Sequence, residues 1–292
     1  MARSVEANPS HSDAARLRML ATEGGPLMLC DWERALFIHF LVDRHVLQRQ
    51  VPFRLHLFDG CAYVSLVAFT LSHLRFNRRW QFASGLLSPI ARHPFLNVRT
   101  YVRHCGEPGI YFMTEWLPNR MSVLLGPRTF GLPYRYGRLE CEHYHERGYL
   151  RGTVTAGRRL VYAATIRPER DLSPCAADSL DEFVLERYTA YAGQARRLMR
   201  FRVWHEPWPQ TPAEVTIEDD TLLSESGAWC AHARLVAANY SPGVKNVWIG
   251  RPAKCARGGR VAWPSAARPC HDLENASGPH SALRASRLQT GT

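Results

Sequence analysis

Asn97, Arg99 and Tyr101 fall at alternate positions in the run Pro94–His104. In an extended chain alternate side chains leave the same face, so these three would stand side by side. An arginine fork next to an amide and a phenol can grip a carboxylate or a phosphate through parallel hydrogen bonds. Glu115, in the run Ile110–Trp116, adds an acid. Arg128 and Tyr134, in the stretch Gly126–Arg135, add a second guanidinium and a phenol. We take Asn97, Arg99, Tyr101, Glu115, Arg128 and Tyr134 as candidate ligand-binding residues for a small organic anion. Arg99 or Arg128 would anchor the charge, and Tyr101 and Tyr134 would orient the ligand or donate protons. The competing account is a solvated outer strand face with long side chains lying flat.

A second constellation has different chemistry. Cys141, His143 and His145 alternate along one run. On a strand they would share a face, and three nitrogen and sulfur ligands plus water suit the zinc of a metal-dependent hydrolase. No acidic fourth ligand or general base stands out nearby, so no metal is the expectation and the hydrolase is the alternative. A third stretch, Arg75–Trp80, interleaves basic and aromatic residues as a stacking platform for single-stranded nucleic acid would. A single hexamer of this kind fits a surface flap better, and nucleic acid is not an expected partner.

These residues need elements to position them. Leu96, Val98, Thr100 and Val102 alternate with the polar set, which predicts a strand. Cys105–Gly109 supplies turn chemistry, so Ile110–Trp116 should return antiparallel, with Tyr111, Met113 and Glu115 on one face and Ile110, Phe112, Thr114 and Trp116 on the other. Leu29–Val42 and Cys61–Leu71 read as largely buried strands, and Asp43 as the cap of a short helix to Gln50. Tyr136–His145, Tyr149–Ala156 and Arg158–Arg167, joined by glycine turns, predict a meander. Ser179–Glu182 reads as a capping box. Leu180, Phe183, Val184, Tyr188, Ala192, Ala195 and Met199 follow at helical spacing, predicting one long helix over about Leu180–Arg200 with Arg187, Arg196, Arg197 and Arg200 outward. Leu235–Tyr240 and Val244–Ile249 should close the sheet around a Ser241-Pro-Gly243 turn.

Several motifs in order carry a family resemblance. Asn97–Val102 followed by Pro108–Phe112, together with Asp59–Phe69, Glu186–Tyr188, Trp208–Ala213 and Tyr240–Val244, resembles the YqjF-like family over roughly Pro26–Trp248. That family is similar in fold to acetoacetate decarboxylase. The resemblance implies an α+β class that is mostly antiparallel β: a β-barrel or cone with an internal cavity. The decarboxylase pattern is Gly-Arg-Glu-x-x-Gly-x-Pro-Lys, whose lysine forms a Schiff base with the keto acid. At that spacing this chain has Gly126, Gly131 and Pro133, but Tyr134 stands at the lysine position. An imine needs a primary amine. The chain's two lysines, Lys245 and Lys254, lie far along the sequence, so Schiff-base decarboxylation is not expected.

Composition bounds the rest. Hydrophobic content of 46% and charged content of 22% are ordinary for a globular protein. The net charge is +11, of which +5 falls in residues 250–292. We therefore expect a mobile N-terminal arm over 1–25, one domain over 26–249, and a disordered basic tail over 250–292. The eight cysteines are scattered without a C-x-x-C pair, which fits free thiols in a reducing, cytoplasmic compartment. No run reaches the about 20 apolar residues of a membrane helix, so no membrane partner is expected. No cofactor motif is present, and the chain is compatible with a homo-oligomer.

Overall fold

Runs of apolar and β-branched residues become long strands, and the strands close on themselves. The computed structural model describes residues 10–194 and 197–255. Its longest strands are β1 (Met28–Val42), β3 (Ala62–Phe76), β4 (His93–His104), β5 (Glu107–Leu117) and β14 (Arg234–Ile249), with the two-residue β2 (Arg54–Leu55) beside β4. β14, β1, β3, β4 and β5 pair antiparallel in that order. β10 (Thr189–Gln194) joins β5 in parallel, and β11 (Arg197–Trp204) returns antiparallel. β11 then meets β14 at Val203–Ile249 and Trp204–Trp248, and the two-residue β12 (Thr211–Pro212) pairs along β14. Seven strands thus form a closed ring, the arrangement that satisfies backbone groups that open sheet edges would expose.

A second sheet of β7 (Arg138–Tyr144), β8 (Tyr149–Ala156), β9 (Arg158–Thr165) and β13 (Glu214–Asp219) contains the expected meander. It covers one part of the ring's outer surface. Leu36, Val64, Val98 and Trp116 from the ring share a core there with Leu150, Val154, Leu160 and Tyr162. Gly152 is fitted to that core, because a Cβ at this position would run into the Tyr162 ring. Overpacking of this kind costs about 1–3 kcal/mol. Gly152→Ala should therefore lower the urea midpoint with no change in the slope of the transition; an unchanged midpoint would show that Tyr162 moves freely.

Helices are short. α2 (Arg44–Gln50) begins at Asp43, whose carboxylate accepts from the His45 and Val46 amides. α3 (Arg120–Thr129) leads into β6 (Tyr134–Tyr136), which pairs in parallel with β5. α1 (His11–Leu20) seats Ala15 and Met19 against Tyr188 and Trp204, and Ser12 Oγ donates to the His205 carbonyl at 2.7 Å. The helical part of the expected mobile arm is therefore docked. At the other end β15 (Ala253–Lys254) pairs with β11, so ordered pairing continues past residue 249; the expected tail beyond Cys255 lies outside the described residues. Cys30, Cys105, Cys141, Cys175, Cys230 and Cys255 are free thiols. Cys61 departs from the expectation of free thiols, being disulfide-bonded.

Two expected elements take other forms. The capping box is real, with Ser179 Oγ accepting from the Glu182 amide, but the helix it starts, α4, spans only Leu180–Leu185. The chain then supplies β10 and β11. Ala190, Ala192, Phe201 and Val203 point into the ring, so residues at helical spacing also serve a two-residue period once neighbouring strands offer hydrogen bonds. Gly193 makes the hairpin feasible: it has φ 90°, and a Cβ there would strike the Arg197 carbonyl. The Ser241-Pro-Gly243 turn is likewise absent, because β14 runs through it, with Gly243 at φ 122° against the Trp32 carbonyl.

Candidate functional site

The ring interior holds an aromatic core that includes Phe37, Phe95, Phe183, Phe201 and Trp208. Into it β4 sends Asn97, Arg99 and Tyr101, all buried, so this face is interior rather than a solvated outer one. Glu115 joins them by a route that simple alternation misses. Val98 pairs with Thr114 but Arg99 pairs with Phe112, which leaves Met113 as a bulge. A bulge shifts the inside-outside phase by one residue. Ile110, Phe112 and Glu115 consequently take the cross-strand places opposite Tyr101, Arg99 and Asn97.

A chain of buried hydrogen bonds fixes the Tyr101 end. Asn239 Nδ2 donates to Gln210 Oε1 at 2.8 Å, and Asn239 Oδ1 lies 3.2 Å from His39 Nε2. His39 therefore carries its proton on Nε2, leaving Nδ1 to accept from Ser65 Oγ at 2.7 Å. Ser65 Oγ in turn lies 2.5 Å from the Tyr101 hydroxyl, which also reaches the Val184 carbonyl at 3.0 Å. Burial, helped by Arg99, pulls His39 down to about 3, so the relay is held neutral.

Arg99 donates from Nη2 to the Val184 carbonyl at 2.9 Å and lies over the Phe37 ring. Its Nε has no hydrogen-bond partner among the described residues. Arg187 follows α4 and turns inward. Its guanidinium lies 4.2 Å from the Phe183 ring centroid and 5.7 Å from that of Tyr101. Nε and Nη2 of Arg187 are buried without a partner among the described residues. Burial, with Arg99 and Arg103 adding repulsion, draws Arg187 down to about 10; it remains charged at neutral pH. The sequence reading placed Arg187 on an outer helical face, and ending the helix at Leu185 is what redirects it. Arg128 has the opposite fate. It is exposed on α3 and caps its own helix through Leu124 O at 2.7 Å, so it is not part of this cluster.

At the other end of the cluster burial works against charge. Glu115 lies between Asn97 on β4 and Tyr134 on β6 in the strand ladders. Glu115 Oε2 and Asn97 Oδ1 have no partner among the described residues. Burial raises the Glu115 carboxyl well above its usual range. Burial, then the proximity of Glu115 and Cys30, raises the Tyr134 phenol in the same sense. Tyr134 packs against Phe95, and a Cβ at Gly126 would collide with its ring, so the motif glycine is shaped around an aromatic at 134. Where β6 and β10 diverge along β5 a cavity of about 250 Å³ opens; its walls include Phe112, Pro133 and Arg197, and none of Asn97, Arg99, Glu115, Tyr134 or Arg187 lines it.

The zinc constellation is not assembled. His143 is committed through both ring nitrogens, Nδ1 to Arg34 O at 2.7 Å and Nε2 to the Tyr162 hydroxyl at 3.0 Å. Burial draws it down to about 4 and pushes the Cys141 thiol up to about 11. His145 leaves the strand for a 3-10 turn and stacks on Tyr240. Among the described residues no three His, Cys, Asp or Glu side chains form a metal-holding group. The metal-dependent hydrolase reading is therefore set aside. No helix among the described residues is long and apolar enough to cross a membrane.

Comparison with known proteins places this geometry. The family model DUF2071, "Uncharacterized conserved protein", matches residues 30–245. The uncharacterized protein YqjF of Bacillus subtilis is 34% identical over 206 residues, covering 69% of this chain and 82% of the relative. Among solved structures, acetoacetate decarboxylase from Legionella pneumophila is similar with TM-score 0.56 at 12% identity, over 82% of this chain and 94% of that one. The enduracididine biosynthesis enzyme MppR complexed with pyruvate is similar with TM-score 0.54 at 13% identity, over 82% of this chain and 92% of that one. At these identities the structural likeness is one of fold.

Proposed function

The chain belongs to the DUF2071 family of uncharacterized conserved proteins and has an acetoacetate decarboxylase-like fold, and from that premise we propose that its ring interior binds a small organic anion between Arg99 and Arg187. One observation carries this reading: two guanidinium groups over rings of the same aromatic core, Arg99 over Phe37 and Arg187 over Phe183 and Tyr101, keep buried N–H groups with no protein partner among the described residues. A buried, unpaired guanidinium is expensive, and a carboxylate, which takes two parallel hydrogen bonds from an arginine fork, offsets that cost. Tyr101, whose single proton is taken up by Ser65 and the Val184 carbonyl, serves as a ring face beside Arg187. Binding proceeds without an imine, because a phenol occupies position 134 and both lysines are exposed.

Pyruvate, the compound in the MppR complex, is the first probe. Calorimetry should give saturable binding that weakens as salt rises, because the contact is ionic. Borohydride added to the mixture should leave the protein mass unchanged. Absence of binding by pyruvate and by short plain carboxylates would overturn the anion reading, and a reduced covalent adduct would overturn the non-covalent one.

A further inference from the structure

The interior wall has two chemically different ends. Arg99 and Arg187 supply charge at one end. At the other, Glu115 lies beside Tyr134 from β6; Cys30 from β1 acts on Tyr134, and His93 from β4 is separated from Tyr134 by the Phe95 ring. None of them is a cation at neutral pH: burial draws His93 down to about 4 and raises the Cys30 thiol. Glu115 and Tyr134 are partners in a parallel ladder, so their side chains leave the same face, and Glu115 is also the cross-strand partner of Asn97. The buried Glu115 Oε2 stands unpartnered among the described residues.

We propose that the Glu115 carboxyl group and the Tyr134 phenol are paired hydrogen-bond donors to a ligand oxygen that carries or develops negative charge, so that the site selects carboxylates bearing a carbonyl or enol oxygen over plain carboxylates. The inference rests on the anion reading above and assigns the rest of the same ligand. A carboxyl group in an apolar interior with no cation beside it keeps its proton, and burial drives Glu115 in that direction. A neutral carboxylic acid beside a neutral phenol is a donor pair, and such a pair in a dry site stabilises an oxyanion with little reorganisation. Positions 97 and 99 are about 7 Å apart along the strand, which short keto acids span once the side chains reach inward. Where an amine at position 134 would bond covalently to a carbonyl carbon, the phenol and carboxyl polarise its oxygen instead.

The test compares pyruvate with propionate, which has the same chain length and lacks the carbonyl. Wild-type protein should bind pyruvate about tenfold more tightly, the factor expected from a hydrogen bond of about 1.4 kcal/mol. Tyr134→Phe should sharply reduce that preference, leaving the Glu115 donor alone, and keep propionate affinity within about twofold. Glu115→Gln keeps an N–H donor and should lose less. It should also abolish the weakening of pyruvate binding expected of the wild type as rising pH ionises the Glu115 carboxyl and sets it against the ligand oxygen. Equal affinities for the two acids in the wild type, or a preference untouched by Tyr134→Phe, would overturn this inference and leave the arginine site standing. Failure of both acids to bind would instead overturn the anion reading.

Discussion

Arg99→Leu is expected to weaken pyruvate binding about 10- to 100-fold, since a hydrogen bond to a charged group contributes about 1.5–3 kcal/mol. Arg99→Lys should recover little of it. An ammonium is a point charge without the planar fork that meets two carboxylate oxygens. Arg99 also donates to the Val184 carbonyl, so the leucine variant loses some stability as well as affinity. Arg187→Gln separates the two effects. Nε and Nη2 of Arg187 have no hydrogen-bond partner to lose among the described residues, and a buried charge without one is costly, so affinity should fall by a similar factor while the urea midpoint of the ligand-free protein does not fall. Calorimetry on the two variants, with unfolding curves alongside, checks this. Unchanged affinity in both would remove the arginine pair as the anchor.

The second large effect is on stability in acid. His39, His93 and His143 are buried, and burial draws them down to about 3, about 4 and about 4. In the unfolded chain a histidine takes up its proton near pH 6.5. The unfolded state therefore binds more protons between pH 6.5 and the folded values, and stability is lost as pH falls through that window. Each of the three should remove about 2 kcal/mol between pH 7 and pH 5. Together they approach the whole stability of an ordinary domain, roughly 5–15 kcal/mol. Urea unfolding at pH 7, 6 and 5 should show a steep decline, and His39→Gln should make it shallower by one proton's worth. A flat profile would show that these histidines are hydrated or already charged in the fold.

Much of the scaffold was legible because it is local. Alternation placed β4, turn residues placed its hairpin with β5, and side-chain caps placed the starts of α2 and α4 at Asp43 and Ser179. The motif spacing put Tyr134 at the lysine position, and Gly126 is shaped to that ring. A fold of the acetoacetate decarboxylase type followed from those motifs and is what the solved structures match.

The composition of the proposed site, by contrast, depends on partners distant in sequence. Nothing within Ile110–Trp116 marks Met113 as a bulge. The phase shift that sends Glu115 inward appears only when β5 is laid against β4. Residues after Leu185 satisfy a helical period and a strand period equally well. The ring's need for strands between β5 and β14 decides for β10 and β11, and with that decision Arg187 turns from an outer face to the inside. Arg128 was exchanged for it because α3 carries Arg128 away to solvent. Cys141, His143 and His145 had suitable spacing for a metal, but a backbone carbonyl from β1 and a phenol from β9 had already taken both nitrogens of His143. Sequence periodicity determines which residues can share a face; which face is inside, and which polar atoms remain unpaired there, depends on ring closure and hydrogen bonds between strands far apart in the chain.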